Sequence, residues 1–236
     1  MEYVRFGELY KIPSCNGLSR PSAVRGEGYK MVNMGELFSN DIINDMYMER
    51  VQMNEREQKK FLLEKGDLLL IQNEISSLTY LITKAHEKGL RIAFNTAPMD
   101  EKIFGYPLDL IDIFVVNEVE GKGLANVSSD QIEDVIAGLQ KAYPSKEIIL
   151  TVGSQGSYYI SGDMVIHQDA YRVEAVDTTA AGDTFTGFYL ASILRGEMVS
   201  NALRIAAKAS SITVTKEGAA KSIPTLEQVV ESMKNV

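Results

Sequence analysis

The sequence predicts an α/β protein: a doubly wound, largely parallel sheet over residues 66–236, preceded by a short α+β segment of different character. Three observations carry this. After residue 65 short β-rich runs alternate with helical patterns, as βαβ units do. The string "DTTAAGDTF" sets small residues directly before an acidic residue and an apolar helical run. The charge is also divided, since residues 1–65 hold 10 basic and 10 acidic side chains and the whole net charge of −8 therefore falls after residue 65.

Taken in order, Asp67–Gln72 reads as a buried strand. "SSLTYLITKAHEKG" reads as a helix, with Ser76 or Ser77 as N-cap, Leu78, Leu81, Ile82 and Ala85 at helical spacing, and Gly89 as the stop. "LRIAFNT" and "IDIFVVN" are strands, "SSDQIEDVIAGLQKAY" is a capped helix, and "EIILTVG" is a further buried strand, so four strands are separated by helical connections. "GSYYIS", "MVIHQ" and "YRVEAV", split by Gly and Asp, read as antiparallel edge strands. Three helices close the chain: "DTFTGFYLASILRG", "SNALRIAAKASSITV" and "TLEQVVESMKNV".

Composition narrows the function. With 236 residues, 45% of them apolar, the chain can bury a core, and no apolar run approaches the roughly 20 residues a membrane span needs. Met1–Tyr10 mixes Glu2, Arg5 and Glu8 among its apolar residues and does not read as a signal peptide, so a cytoplasmic protein is expected. Cys15 is the single cysteine and cannot form an internal disulfide. His86 and His167 stand apart and read as surface residues; no His/Cys cluster has metal-ligand spacing. The net negative charge argues against a protein that coats nucleic acid.

In such a sheet, ligands gather beyond the carboxyl ends of the strands. Four stretches lie there: Asn95 with Pro98, Asn117 with Glu120, "TVGSQG" at Thr151–Gly156, and "DTTAAGD". Ala180, Ala181 and Gly182 lead into a helix whose free N–H groups a phosphate can approach closely. Asp183, at the mouth of that helix, can accept the proton of an attacking hydroxyl. Phosphoryl transfer asks for little more than positioning and charge stabilisation. Blander readings stand beside these: Asp183 and Asn117 as helix caps, Glu120 as a solvated residue.

"DTTAAGDTFTGF" resembles the C-terminal signature of ribokinase-type carbohydrate kinases, the PfkB family. The resemblance runs from about Leu68 to the C-terminus. "LLIQNE" is similar to the strand whose acidic residue touches the sugar, "FNTAP" to an Asn-Pro turn, "VVNEVEG" to an N-x-x-E motif, "TVGSQGSYY" to a nucleotide loop, and "VTKEGAAKSIP" to the final loop. It implies transfer of the ATP γ-phosphate to a sugar hydroxyl, with Asp183 as base and Ala180, Ala181 and Gly182 as anion hole. It implies that Asn117, Thr151, Gly153, Ser154, Gly156 and Ala207 line the ATP site, that Glu120 organises Mg²⁺ through water, and that Glu74 contacts the sugar. Asp177, Thr179, Thr213, Lys216, Gly218 and Ser222 match a monovalent cation site, with K⁺ as the candidate ion.

Residues 1–65 resemble instead the opening of a DNA target-recognition domain from type I restriction-modification specificity subunits, on "GLSRPS", "GYKMVNMGELF" and "FLLEKGDLL". The two resemblances meet at "KGDLLLIQNE", and a fusion there accounts for both. Lys11, Arg20, Arg25 and Lys30 could contact phosphates, but with 10 acids in the same segment a solvated surface is the expectation. The kinases' usual sugar-gripping N-terminal section and lid are not legible. Three functions follow: a sugar kinase, a nucleotide-binding remnant without catalysis, or a DNA-recognition fragment. ATP and a small sugar are the expected partners, with a homo-oligomer covering the incomplete sheet.

Overall fold

The computed structural model describes residues 25–30 and 50–234. Lys11, Cys15 and Arg20 lie outside the described residues, as does most of the stretch that resembles a recognition domain. Among the described residues the chain divides into two compact units, one ending at Phe114 and one running from Val115 to Lys234. Six strands, β3 (Leu68–Gln72), β4 (Arg91–Asn95), β5 (Ile113–Asn117), β6 (Glu147–Thr151), β7 (Ser157–Ser161) and β8 (Met164–Gln168), form one mixed sheet in that order, and the boundary between the units falls within β5.

In the first unit, β1 (Arg25–Lys30) pairs antiparallel with β2 (Arg50–Val51). Helix α1 (Glu55–Phe61) opens on a capping box in which Asn54 and Glu57 each bond the other's backbone N–H. Strand β3 (Leu68–Gln72) runs parallel to β4 (Arg91–Asn95), with Leu68 opposite Arg91 and Gln72 opposite Asn95. Ile92, Ala93 and Phe94 are all 0% exposed. Three consecutive buried residues point to both faces of a strand, so β4 is covered on both sides.

Between them α2 (Leu78–Glu87) buries Leu78, Ile82 and Ala85 at the expected spacing. It ends where Gly89 takes a φ of 71°, the left-handed conformation that glycine adopts without a Cβ penalty. Its start differs from expectation. Ser77 is the N-cap but has φ 64° and caps no N–H with its side chain. The β4–β5 connection also differs, being two short 3₁₀ turns, Glu101–Gly105 and Leu108–Leu110, and not a helix. Asp112 secures the second strand's entry by accepting from the Ile92 N–H at 2.7 Å.

The second unit continues from β5 into α3 (Glu118–Ala125), α4 (Ile132–Ala142) and β6 (Glu147–Thr151). Gly121 sits where a Cβ would come within 3.0 Å of Leu150 and 3.4 Å of Val135, so α3 lies tight against β6. Strands β7 (Ser157–Ser161) and β8 (Met164–Gln168) follow antiparallel, β7 between β6 and β8 and β8 at the sheet edge. They are joined by a two-residue turn in which Gly162 has φ 55°. The third edge strand expected at "YRVEAV" does not form. Residues 172–176 are exposed, and the Val176 and Asp177 N–H groups go to the Val214 carbonyl instead of to a ladder. A strand needs a partner edge as well as an alternating pattern.

Helix α5 (Ala181–Leu194) is buried continuously from Thr184 to Ser192. A helix apolar all round belongs inside, and its burial holds its N-terminus rigidly. It packs on α6 (Val199–Thr213), and α7 (Leu226–Lys234) follows a reciprocal cap between Thr225 and Gln228. No described helix is long and apolar enough to cross a membrane.

Candidate active site

The first turn of α5 is built by the loop before it. Asp177 closes that loop: one carboxylate oxygen accepts from the Thr179 N–H at 2.8 Å and the other from the Gly218 N–H at 2.9 Å, 41 residues away in sequence. Hydrogen bonds from Thr179, side chain and backbone, and then from Gly218, hold its carboxyl below the usual aspartate range. Ala180 then adopts φ 62°, ψ 10° as N-cap. For a residue with a Cβ this left-handed conformation costs on the order of 1–2 kcal/mol, which the surrounding bonds must hold in place.

That turn presents two donors. The Ala181 N–H goes to the Thr178 carbonyl, and the Thr184 N–H to the Ala180 carbonyl. Those of Gly182 and Asp183 lie between and find no acceptor among the described residues. A Cβ at Gly182 would meet nothing within 4 Å, and the Asp183 side chain is exposed, so the space before the helix is open. Underneath, the Ser210 hydroxyl donates to the Ala181 carbonyl at 3.0 Å. The Thr213 hydroxyl lies 3.2 Å from the Thr184 hydroxyl and from the Ala209 carbonyl. Helix α6 thus fastens the first turn from below.

The residues expected to hold a monovalent cation converge only in part. Asp177 and Gly218 are hydrogen-bonded; Thr213 and Lys216 lie one turn apart, the Lys216 N–H donating to the Thr213 carbonyl. Gly218 spends its N–H on Asp177, so only its carbonyl remains for an ion. Thr179 is exposed; Ser222 is fully buried, its hydroxyl donating to the Ala219 carbonyl at 2.7 Å.

At the end of β5, Asn117 caps α3. Its side-chain oxygen accepts from the N–H groups of Val119 and Glu120, both at 2.9 Å. Glu120 returns the contact, accepting from the Asn117 N–H at 2.9 Å and from its amide at 3.0 Å. Both carboxylate oxygens are therefore in use and the side chain is 8% exposed. Among the described residues no group of three or more His, Cys, Asp or Glu is arranged to hold a metal ion. This donor set suits Mg²⁺ only in the mode where the ion keeps its waters and meets a carboxylate through them.

At the end of β6 the Thr151 hydroxyl reaches the Val116 carbonyl at 3.4 Å. Residues 153–155 form an exposed 3₁₀ turn, which includes Ser154, closed by the Val152 N–H to the Gly156 carbonyl at 2.8 Å. Gly156 has φ 101°, and a Cβ there would lie 2.0 Å from the Gln168 carbonyl, so no other residue fits. Ala207 is buried in α6. His167 is at the surface as expected but is not isolated: it stacks on Tyr158 and contacts Gln155. The two-residue Gly162–Asp163 turn, which sets the register opposing 158 to 167, was the available signal.

Glu74 belongs to the other unit, exposed beside a cleft with Asn73, Tyr80, Lys84, Lys102 and Tyr106. Asn73, which the sequence reading passed over, organises this end. Its amide donates to the Pro98 carbonyl at 2.7 Å, and its oxygen accepts from the Tyr106 hydroxyl at 3.0 Å. Burial, and then the charge of Asp100, push the Tyr106 hydroxyl above the ordinary phenol value. Asn95 turns its side-chain oxygen onto the Ala97 N–H at 3.1 Å, just before the cis Ala97–Pro98 bond.

Comparison with known proteins points to one family. A family model described as pfkB family carbohydrate kinase matches residues 39–226, reaching back past residue 66, where the sequence alone placed the change of origin. The ribokinase of Staphylococcus aureus (strain COL) is 38% identical over 151 residues, covering 63% of this chain and 49% of that protein. The ribokinase of Schizosaccharomyces pombe is 38% identical over 175 residues, covering 69% and 54%. Among solved structures, Arabidopsis thaliana ribokinase complexed with ribose and ATP superposes with a TM-score of 0.65 at 27% identity, over 71% of this chain and 55% of that one. Ribokinase from Cryptococcus neoformans in complex with ADP gives 0.64 at 28% identity, over 70% and 60%. The chain spans about half the length of the curated relatives it matches. With four-fifths of its length under one family model, the chain belongs to the pfkB family of carbohydrate kinases.

Proposed function

We propose that this chain carries the phosphoryl-transfer half of an ATP-dependent sugar kinase, moving the γ-phosphate of ATP to a hydroxyl of a ribose-like sugar. One observation carries the reading: a rigid helix start with two free N–H groups, open space in front, and a carboxylate at its lip. The proton of the attacking hydroxyl passes to the Asp183 carboxylate as the new O–P bond forms and the bond to the ADP oxygen breaks. The Gly182 and Asp183 N–H groups hold the oxygens of the transferring phosphate, and the bonds beneath α5 keep those donors from reorganising.

Asn117, Thr151, Gly153, Ser154, Gly156 and Ala207 line the ATP site in this reading, and Glu74 contacts the sugar. Mg²⁺, when bound, neutralises phosphate charge; Glu120, already oriented by Asn117, would meet it through water. The ionised Asp177 carboxylate and the carbonyls around Thr213 and Gly218 would take a monovalent cation such as K⁺, because the carboxylate, with about four acceptor sites, is hydrogen-bonded by Thr179 and Gly218 without filling them all. The relatives named ribokinase, one of them solved with ribose and ATP, support the substrate class.

An ADP-release assay with ribose and a panel of sugars tests this on Asp183→Asn. The exposed substitution should leave ADP binding and Tm unchanged while turnover falls by roughly 10²–10⁴, the usual contribution of a general base. An unaltered rate would remove Asp183 from the chemistry.

A further inference from the structure

We propose that His167, on an edge strand, is a positioning residue that holds the 153–156 turn in its nucleotide-binding shape. This rests on reading Thr151–Gly156 as the nucleotide loop. The backbone bonds of the turn run within it: Val152 to Gly156, Gln155 to Val152, and Gly156 to Gly153. They close the loop on itself, and among the described residues no other backbone hydrogen bond outside the strands leaves it. Gly153 and Gly156, at φ 49° and 101°, bracket it with the most permissive residues available.

The side-chain tie comes from β8. His167 Nε2 lies 3.0 Å from the Gln155 carbonyl. A carbonyl only accepts, so Nε2 carries the proton and the imidazole donates. The ring is itself held, stacked on Tyr158 with centroids 4.4 Å apart and planes inclined by 26°, and the two residues are direct cross-strand partners. Asp169 is exposed and lies 4.0 Å from Nδ1, beyond hydrogen-bond distance, so the ring's ties are to Gln155 and Tyr158. An exposed turn closed only on itself loses backbone freedom when it clasps a ligand; one already tied to the sheet loses less and binds more tightly.

Two variants separate the donor from the ring. His167→Phe keeps the stack on Tyr158 and removes the N–H; His167→Gln places an amide N–H near the same point and removes the ring. Calorimetric titration with ADP should show His167→Phe weaker by roughly fivefold, the worth of one neutral hydrogen bond, with unchanged Tm. His167→Gln should bind close to wild type. In turnover, His167→Phe should raise the KM for ATP and leave kcat unaltered. Wild-type affinity in His167→Phe, or equal loss in both variants, would overturn the proposal. Failure of the wild-type chain to bind ADP would overturn the reading of the loop itself, and with it this role for His167.

Discussion

Asp177 shows how one side chain decides the shape of a distant turn. Its two oxygens take N–H groups from Thr179 and Gly218, and both bonds require the charged carboxylate. Because its folded pKa is lowered, its contribution to stability is fully present above the unfolded value of about 4 and is lost as pH falls through the lower folded value. Asp177→Asn, which puts an NH₂ against one of the two N–H groups, should therefore have a lower Tm than wild type at pH 7. The gap should narrow below about pH 4 as the wild-type carboxyl protonates. A gap independent of pH would show that charge is not the source. Asn117 and Glu120 make a different point at the same scale. The spacing N-x-x-E reads equally as a metal motif and as a capping box, and the structure shows the capping box formed, with both acid oxygens engaged.

Among elements, the β6–β7 corner is the most exacting. Gly156 must adopt a conformation closed to other residues, and a Cβ there would lie 2.0 Å from the Gln168 backbone oxygen. Gly156→Ala should cost on the order of 2 kcal/mol or more, because the obstacle is backbone that cannot swing aside. Chemical denaturation checks this, and a change below about 0.5 kcal/mol, the usual size of a surface substitution, would contradict it. Helix α5 is legible from its string of small residues and its apolar run. Its left-handed N-cap at Ala180 is not, since alanine carries no local preference for that conformation. Likewise "YRVEAV" has a strand's composition, yet the Val176 and Asp177 N–H groups are claimed by Val214 after α6. Local pattern reports what a segment can do; the partner it meets decides what it does.

For the whole molecule, ligand linkage offers the broadest test. A nucleotide that binds only the folded chain at 100 times its Kd stabilises by about 2.7 kcal/mol. For a chain of this size that raises Tm by roughly 5–10 °C. ADP should produce such a shift, and none at saturating ADP would count against the nucleotide site. The net charge of −8 leads to a further expectation. Duplex DNA should show no salt-sensitive change in fluorescence anisotropy with this chain, because a phosphate-binding surface needs a clustered positive excess. Binding that weakens steeply with salt would revive the DNA-recognition reading of residues 1–65.

By itself the sequence determined the alternation of strands and helices after residue 65, the family signature, and the identity of the polar residues at strand ends. Each of these depends on periodicity or on contiguous residues, which a linear chain carries directly. Tertiary structure alone decided which N–H groups remain free at the α5 turn, that Glu120 is already engaged by Asn117, and that Asn73 meets Pro98 and Tyr106 while His167 meets Gln155. Those are properties of hydrogen-bond partners brought together from distant positions, such as Asp177 with Gly218 or Asn73 with Tyr106. A donor's availability follows from what else has reached it, and only the folded chain brings those competitors within range.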